Sequence, residues 1–448
     1  MFKNVERCGA RQRSTIVVLA LGVLVVARAA NAQVVRAPEE SVPRAGQSDG
    51  VSLKALLALA GQRAPAVELA RVREGAARRA RSAVPSALHD PTLGIEVGPR
   101  FTRSGGQTDY DLGLSLAQPL EIAGERGLRT EVAGRRAERA RAESSLARWQ
   151  IRRELVLAYR GAQVAQERLR LGARIIAFAD AMARVAERRR AGGESSSIEV
   201  RIAQADALAA RREHSLWQQQ FEVARVRLAQ LSGWPGELPA RLSDALGEPP
   251  SVPALEPLLK ILPGHPELSA QRGRVGEARA EVRLRERESW PVPVFGAEVV
   301  REGSVGGEPE YLVLGSLSLP LPLFRANTQE RARAESEEQV QRAELGAASS
   351  ELRARVSSAH AELSGARERF ELMTRAAASF EDGLELLERG FAAGELELIE
   401  VTVLRERWFS ALTGALDARL ECEIAFAELE AAAGVPLDGS RGVRGARP

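Results

Sequence analysis

Chemistry in this chain of 448 residues would have to come from very few side chains. The four histidines, His89, His214, His265 and His360, are scattered and share no metal-ligand spacing. Cys8 precedes an apolar run near the N-terminus and Cys422 stands alone, so one mature chain forms neither a disulfide nor a cysteine-based metal site. Three methionines make no Met-rich relay for copper, and no phosphate loop, nucleophile elbow or kinase motif occurs. The reading is therefore not an enzyme, with no cofactor and no metal site. What recurs instead is acid beside glycine. Gly193-Glu194 leads into Ile198-Glu199-Val200, and Gly394-Glu395 leads into Ile399-Glu400-Val401. At a helix start such acids ordinarily serve the helix dipole; anything more depends on what the helices build.

Those two segments belong to a repeat spaced by 201 positions. Pro65 answers Pro266, Tyr110 answers Tyr311, Pro119-Leu120 answers Pro320-Leu321 and Gly233 answers Gly434. Solenoid repeats run about 20–50 residues, so this period marks a duplicated half. Each half reads as a short helix, two strands and two long helices.

The N-terminus reads as a secretory signal, residues 1–32. Lys3, Arg7, Arg11 and Arg13 precede an apolar run from Ile16 to Ala27, and Ala30-Asn31-Ala32 supplies a small-residue cleavage site. The formal charge of +3 becomes −1 once five basic residues and one acid leave with it, so basicity gives no reason to expect nucleic acid. Aromatic residues at 4%, with an Ala, Arg, Glu and Leu bias, point to long helices with thin interfaces.

The predicted organisation is a flexible segment at 33–50, a first repeat at 51–232, a linker at 233–255, a second repeat at 256–437 and a disordered tail at 438–448. Residues 122–188 lack proline and predict one helix roughly 100 Å long, followed by a second over about 197–231. In the second half the helices fall near 256–288, 325–390 and 398–433. Val340, Ala343, Ala347, Ser350, Ala354 and Ser357 step by three and four, the spacing of a coiled-coil seam, and their small size lets helices approach closely. A similar row in the first half includes Ala133, Ala137, Ala140 and Ser144.

Strands are predicted at about 93–118 and 294–319. Leu93, Ile95 and Val97 alternate with Gly94, Glu96 and Gly98; Tyr110, Leu112, Leu114 and Leu116 alternate with Asp111, Gly113 and Ser115. Phe295, Ala297 and Val299 begin a second hairpin that continues through Tyr311, Val313 and Leu317. Such strands suit a transmembrane β-barrel or two hairpins of a soluble sheet. Four strands cannot close a barrel, and open strand edges are not tolerated in lipid, so a membrane reading requires several copies to pool their strands.

At this point the chain resembles the outer-membrane efflux protein (TolC-like) family, over about residues 51–437. The segment Gln118-Pro119-Leu120-Glu121-Ile122-Ala123-Gly124-Glu125-Arg126 is similar to the strand-to-helix junction of the family's heavy-metal (CzcC-like) branch, with Ala123 and Glu125 in place of the usual Gly and Lys. Leu319-Pro320-Leu321-Pro322-Leu323-Phe324 is similar to the second-half junction. Proline lacks a donor and fixes φ, which suits Pro119, Pro320 and Pro322 to ending a strand beside Gly124-type helix starts.

The resemblance implies a fold that is mainly α with a small β part. It is a homotrimer whose long helices form an α-barrel continuous with a twelve-stranded transmembrane β-barrel, in the outer membrane of a Gram-negative bacterium and extending into the periplasm. It implies an exit duct of a tripartite efflux system, passing heavy-metal cations or drugs. Its partners are a periplasmic adaptor, an inner-membrane pump of the resistance-nodulation-division type, and outer-membrane lipid. Gly193, Glu194, Gly394 and Glu395 fall where the family's periplasmic tip meets the adaptor. Glu199 and Glu400 fall at its pore constriction, where a second acid expected three residues after Glu400 is Val403. Alternatives are the exit duct of a type I protein-secretion system, which shares the fold, and a soluble periplasmic coiled-coil adaptor or scaffold.

Overall fold

A computed structural model describes residues 50–85, 87, 89–101, 108–303, 308–321, 327–379 and 383–437. The signal sequence, the segment up to residue 49, both hairpin turns, Pro322 and the tail after residue 437 lie outside the described residues.

Each half opens on a helix broken by proline. Helix α1, Leu53–Arg63, is capped by the Ser52 hydroxyl, which accepts from the Ala55 amide at 3.3 Å. Helix α2, Pro65–Ser82, restarts at once with Pro65 in its first turn, where a missing N–H costs nothing. Strands β1, Thr92–Phe101, and β2, Thr108–Pro119, then lead to α3, Glu125–Ala191, and α4, Ser197–Ser232. The second half repeats the order. Helix α5, Leu255–Ile261, and the 3₁₀ turn Leu262–Gly264 run into α6, Pro266–Arg287. Strands β3, Val294–Glu302, and β4, Glu310–Ser318, precede α7, Thr328–Ala378, α8, Gly383–Ala393, and α9, Leu398–Ala433.

Two boundaries differ from expectation. The first long helix begins at Glu125 and not at 122, because Gly124 has φ +81°, a left-handed residue that no α-helix contains. Its counterpart Asn327 does the same at φ +51° and starts α7 at Thr328. The helix expected over 325–390 is described as two pieces, α7 and α8. The first ends where the Ser379 hydroxyl donates back to the Arg375 carbonyl at 3.1 Å.

The four strands form one antiparallel sheet in the order β1-β2-β3-β4, so β2 of the first half pairs with β3 of the second. Register sorts the residues by face. Ile95, Leu114, Val299 and Val313 lie side by side on one face, and Gly94, Ser115, Glu298 and Leu314 on the other.

Two repeat-related cores hold the helices. Leu56, Leu155, Tyr159 and Leu228 lie at zero exposure in the first, and Leu258, Leu352, Leu363 and Leu429 in the second. A third core, with Phe178, Met182 and Val200 against Phe391, Leu398 and Val401, joins both halves where the long helices reverse. The small-residue rows divide unexpectedly. On α3, Ala137, Ala140 and Ser144 are buried; on α7, Val340, Ala343, Ala347 and Ser350 are all exposed. Periodicity identifies an apolar face without naming what covers it. The linker is tied down as well. Val51 and Leu242 form a parallel bridge, and the Asp244 carboxylate accepts from the Leu53 amide at 2.8 Å and from the Tyr159 hydroxyl at 3.0 Å.

Candidate functional site

Three places carry the repeated motifs: the sheet, the strand-to-helix junctions and the helix turns at the far end. The sheet puts large apolar side chains into the open, with Ile95 at 67% exposure and Leu114 at 50%. Contiguous apolar exposure on this scale marks a surface meant for lipid or a partner. Its opposite face carries Glu96, Asp111, Ser115, Glu298 and Ser316 among glycines, with Val300, Leu312 and Leu314 beside them. Arg100 there bonds Asp111 at 3.1 Å and Glu302 at 2.8 Å. Among the described residues no helix is long and apolar enough to cross a membrane.

At the first junction Pro119 is the last residue of β2, opposite Val294, and the Leu120 amide makes one further bond to the Pro293 carbonyl at 2.8 Å. Gly124 then turns the chain into α3. The Glu125 carboxylate, almost fully buried, accepts from the Ala123 amide at 3.1 Å, and Glu121 pairs with Arg129 at 2.6 Å across the turn. Pro320 follows the end of β4 by two residues, while Pro322 lies outside the described residues.

At the other end Gly193 and Gly394 reverse the chain with φ +84° and +78°. That region favours glycine, since a Cβ there strains the backbone. The amides after them close the turns, Glu194 to the Arg189 carbonyl at 2.8 Å and Glu395 to the Gly390 carbonyl at 2.9 Å. Glu199 is the third residue of a capping box: its amide donates to the Ser196 hydroxyl at 3.2 Å, and its carboxylate accepts from the Ser195 hydroxyl at 2.6 Å. The Ser195 bond, helped by the Ser196 amide and hydroxyl, holds the Glu199 carboxyl below its usual pKa against a small opposing effect of burial. Glu400 repeats the role, accepting from the Glu397 amide at 3.0 Å. Glu199 is half-buried and Glu400 exposed.

One residue that pattern reading missed binds the two turns together. Arg189 donates to the Phe391 carbonyl at 3.2 Å, lies 5.0 Å over the Phe391 ring and reaches Glu194 at 4.0 Å. Its place in a run of three arginines, Arg188-Arg189-Arg190, gave no signal that singles it out. Among the described residues no group of three or more His, Cys, Asp or Glu is placed to hold a metal ion.

The sequence profile of the outer membrane efflux protein family matches residues 56–234 and again 259–435. The chain belongs to that family. Two relatives of this outer membrane efflux protein are metal-resistance proteins. The nickel-cobalt-cadmium resistance protein NccC of Alcaligenes xylosoxydans xylosoxydans is 29% identical over 225 residues, half of each chain. The cobalt-zinc-cadmium resistance protein CzcC of Cupriavidus metallidurans is 28% identical over 209 residues, 47% of this chain and 49% of that one. The chain spans about half the length of the curated relatives it matches. Its fold is that of solved outer-membrane channels. A structure of CusC aligns with a TM-score of 0.68 at 16% identity, covering 86% of this chain and 92% of the other. VceC of Vibrio cholerae aligns at 0.65 and 17% identity, covering 86% and 96%.

Proposed function

We propose that this protein is the outer-membrane exit duct of a tripartite efflux system, a passive channel for heavy-metal cations. The observation that carries the reading is the sheet: four strands, an exposed apolar face, two unpaired edges and an opposite face that carries Glu96, Asp111, Ser115 and Glu298. Neither water nor lipid suits such a sheet alone. Three copies supply twelve strands, enough to close a barrel whose apolar face meets lipid and whose polar face lines a channel. The helix pairs continue the wall into the periplasm. The duct performs no catalysis, and the pump supplies selection and energy.

The names of NccC and CzcC support metal cations as the cargo, ahead of proteins or drugs. The exposed apolar strands weigh against a soluble adaptor or scaffold. In this reading the turns at Gly193-Glu194 and Gly394-Glu395 meet the hairpins of a periplasmic adaptor that leads to a resistance-nodulation-division pump. Glu199 and Glu400, from three copies, ring the closed end of the duct with carboxylates that favour cations. Pro119, Gly124, Pro320 and Pro322 set the change from strand to helix at the membrane boundary.

Expression with its leader, membrane fractionation and sedimentation in detergent test the reading. The expected result is a trimer in the outer-membrane fraction; a water-soluble monomer after leader removal refutes it. In a host carrying the matching pump and adaptor, deletion should lower cobalt, nickel or cadmium tolerance.

A further inference from the structure

A cavity of about 750 Å³ opens between the two halves, away from the turns, the junctions and the sheet. Helix α3 of the first half forms one wall, α7 and α9 of the second form two more, and linker residues 245–249 form the last. Every wall comes from one chain. Leu171, on the α3 side, lies roughly 70 Å along that helix from its start at Glu125. A hydrocarbon core about 30 Å thick around the sheet does not extend that far.

The lining is apolar on one side. Leu171 is buried, and Phe370, Leu412 and Leu416 are half-buried, so part of each of those three side chains is left to the cavity. Leu412 and Leu416 stand one turn apart on α9 and form a strip. Their repeat mates on α4 are Arg211 and Ser215, so the duplication does not account for that strip.

The charges on the lining favour an anion. Three arginines face two glutamates there. Arg170 is neutralised by Glu167. Arg419, only 6% exposed, lies 5.5 Å over the Phe370 ring and pairs with Glu423 at 2.5 Å. Glu423 also takes Arg160 at 3.1 Å, so one carboxylate answers two guanidiniums, and the Arg419 Nε hydrogen has no acceptor among the described residues. Arg174 lies 5.9 Å over the Trp408 ring and has no carboxylate partner among the described residues. Glu248, the remaining acid, is exposed on the linker, where water and salt screen it.

We propose that this cavity binds an organic anion, a carboxylate or sulfonate carried on an apolar ring or chain. The volume falls within the range of about 300–1,000 Å³ typical of small-molecule sites, which combine apolar walls with a few polar groups. An inorganic anion would leave the Leu412 and Leu416 strip uncovered, and an uncharged apolar molecule would leave Arg174 and Arg419 unanswered. A ligand here touches α3, α7, α9 and the linker at once and so braces the first half against the second. The site stands apart from the duct reading, whose cargo is a cation, and neither decides the other.

The test is equilibrium dialysis of naphthalene-2-sulfonate against the full-length protein in lipid nanodiscs, with empty nanodiscs as the blank. Saturable binding of one anion per chain is expected, together with a raised thermal midpoint, because the ligand binds only the folded chain. Naphthalene-2-methanol and inorganic sulfate should each bind at least about tenfold more weakly, since the first loses the charged hydrogen bonds and the second the apolar contact. Arg174→Gln should weaken binding about tenfold, and Ala415→Phe, which fills the cavity beside Leu416, should abolish it. Arg212→Gln, which removes an exposed arginine of α4 outside the cavity, should leave the affinity unchanged. A wild type with no saturable binding at millimolar concentration overturns the proposal. So does binding that either cavity variant leaves unchanged, that Arg212→Gln weakens as much as Arg174→Gln, or that the alcohol or sulfate matches. Should Ala415→Phe fail to fold, Arg174→Gln decides alone, because that side chain is exposed and its loss breaks no ion pair among the described residues.

Discussion

Replacing Leu114 by arginine is the sharpest probe of the sheet. Leu114 sits mid-strand in β2, half exposed, with Ile95 and Val299 directly beside it on the apolar face. Arginine on the lipid face of a barrel strand costs about 2–4 kcal/mol near the bilayer midplane. At about 1.4 kcal/mol per decade, that is roughly a 30- to 700-fold shift against insertion for each chain. A trimer carries the change three times, about 6–12 kcal/mol in all. Ser115, the next residue, projects to the opposite face across from Glu298, where an arginine meets water and a carboxylate. The assay is the fraction of chain recovered as trimer in the outer membrane, measured for Leu114→Arg, Ser115→Arg and Leu114→Ala. Leu114→Arg should leave little trimer, while the other two stay within a few-fold of wild type. Equal losses for the two arginines would mean that both faces meet the same medium. The assignment of lipid and lumen faces would then be wrong.

Further outcomes follow from the turns and caps. Gly193→Val or Gly394→Val, at φ +84° and +78°, should lower adaptor-dependent metal tolerance while trimer yield stays close to wild type; loss of the trimer itself would assign these glycines to folding. Glu400→Gln should reduce cation preference, read as a smaller reversal potential in a salt gradient across planar bilayers, and should raise leak conductance; no change would leave Glu400 a helix cap only. Gly434→Ala drives a Cβ into the His265 ring at φ +74° and should lower the thermal midpoint, whereas Gly193→Ala, with open space around it, should lower it less. Burial, opposed by the bond to the Ala431 carbonyl, holds the His265 pKa below its usual 6.5. Its stabilising contribution is therefore complete above about pH 6.5 and lost as pH falls through the folded-state value. Thermal midpoints should drop on acidification below pH 6.5, and less steeply in His265→Asn, which keeps an acceptor for the Glu267 amide but does not titrate.

Much of this architecture is legible because its signals are local. Alternation in β1 to β4, the absence of proline through α3 and the Gly193 and Gly394 turns each reflect a backbone requirement of a few residues. The less legible parts depend on distant partners. Nothing in the spacing of Ala137 and Ala343 says that the first is buried and the second exposed. Asp244 sits in a stretch read as linker, yet its carboxylate caps the Leu53 amide and takes the Tyr159 hydroxyl, both far away in sequence. Arg189 is one of many arginines until Phe391 is brought beneath it. At the helix ends Glu199 and Glu400 are visible as a repeated acid, but their capping bonds appear only when the preceding backbone is placed.

The repeat also preserves roles where it has lost residue identity, and this is a reason that counting identities understates it. Tyr159 and His360 occupy equivalent places on α3 and α7. The Tyr159 hydroxyl donates to the Val51 carbonyl at 2.9 Å, and His360 Nε2 lies 2.9 Å from the Pro253 carbonyl. Each side chain pins the segment that enters its half's first helix, one with a phenol and one with an imidazole. Gly124 and Asn327 likewise differ in type and agree in conformation, both left-handed immediately before a long helix. A duplicated fold can exchange donors in this way because each half still presents a backbone carbonyl at this place.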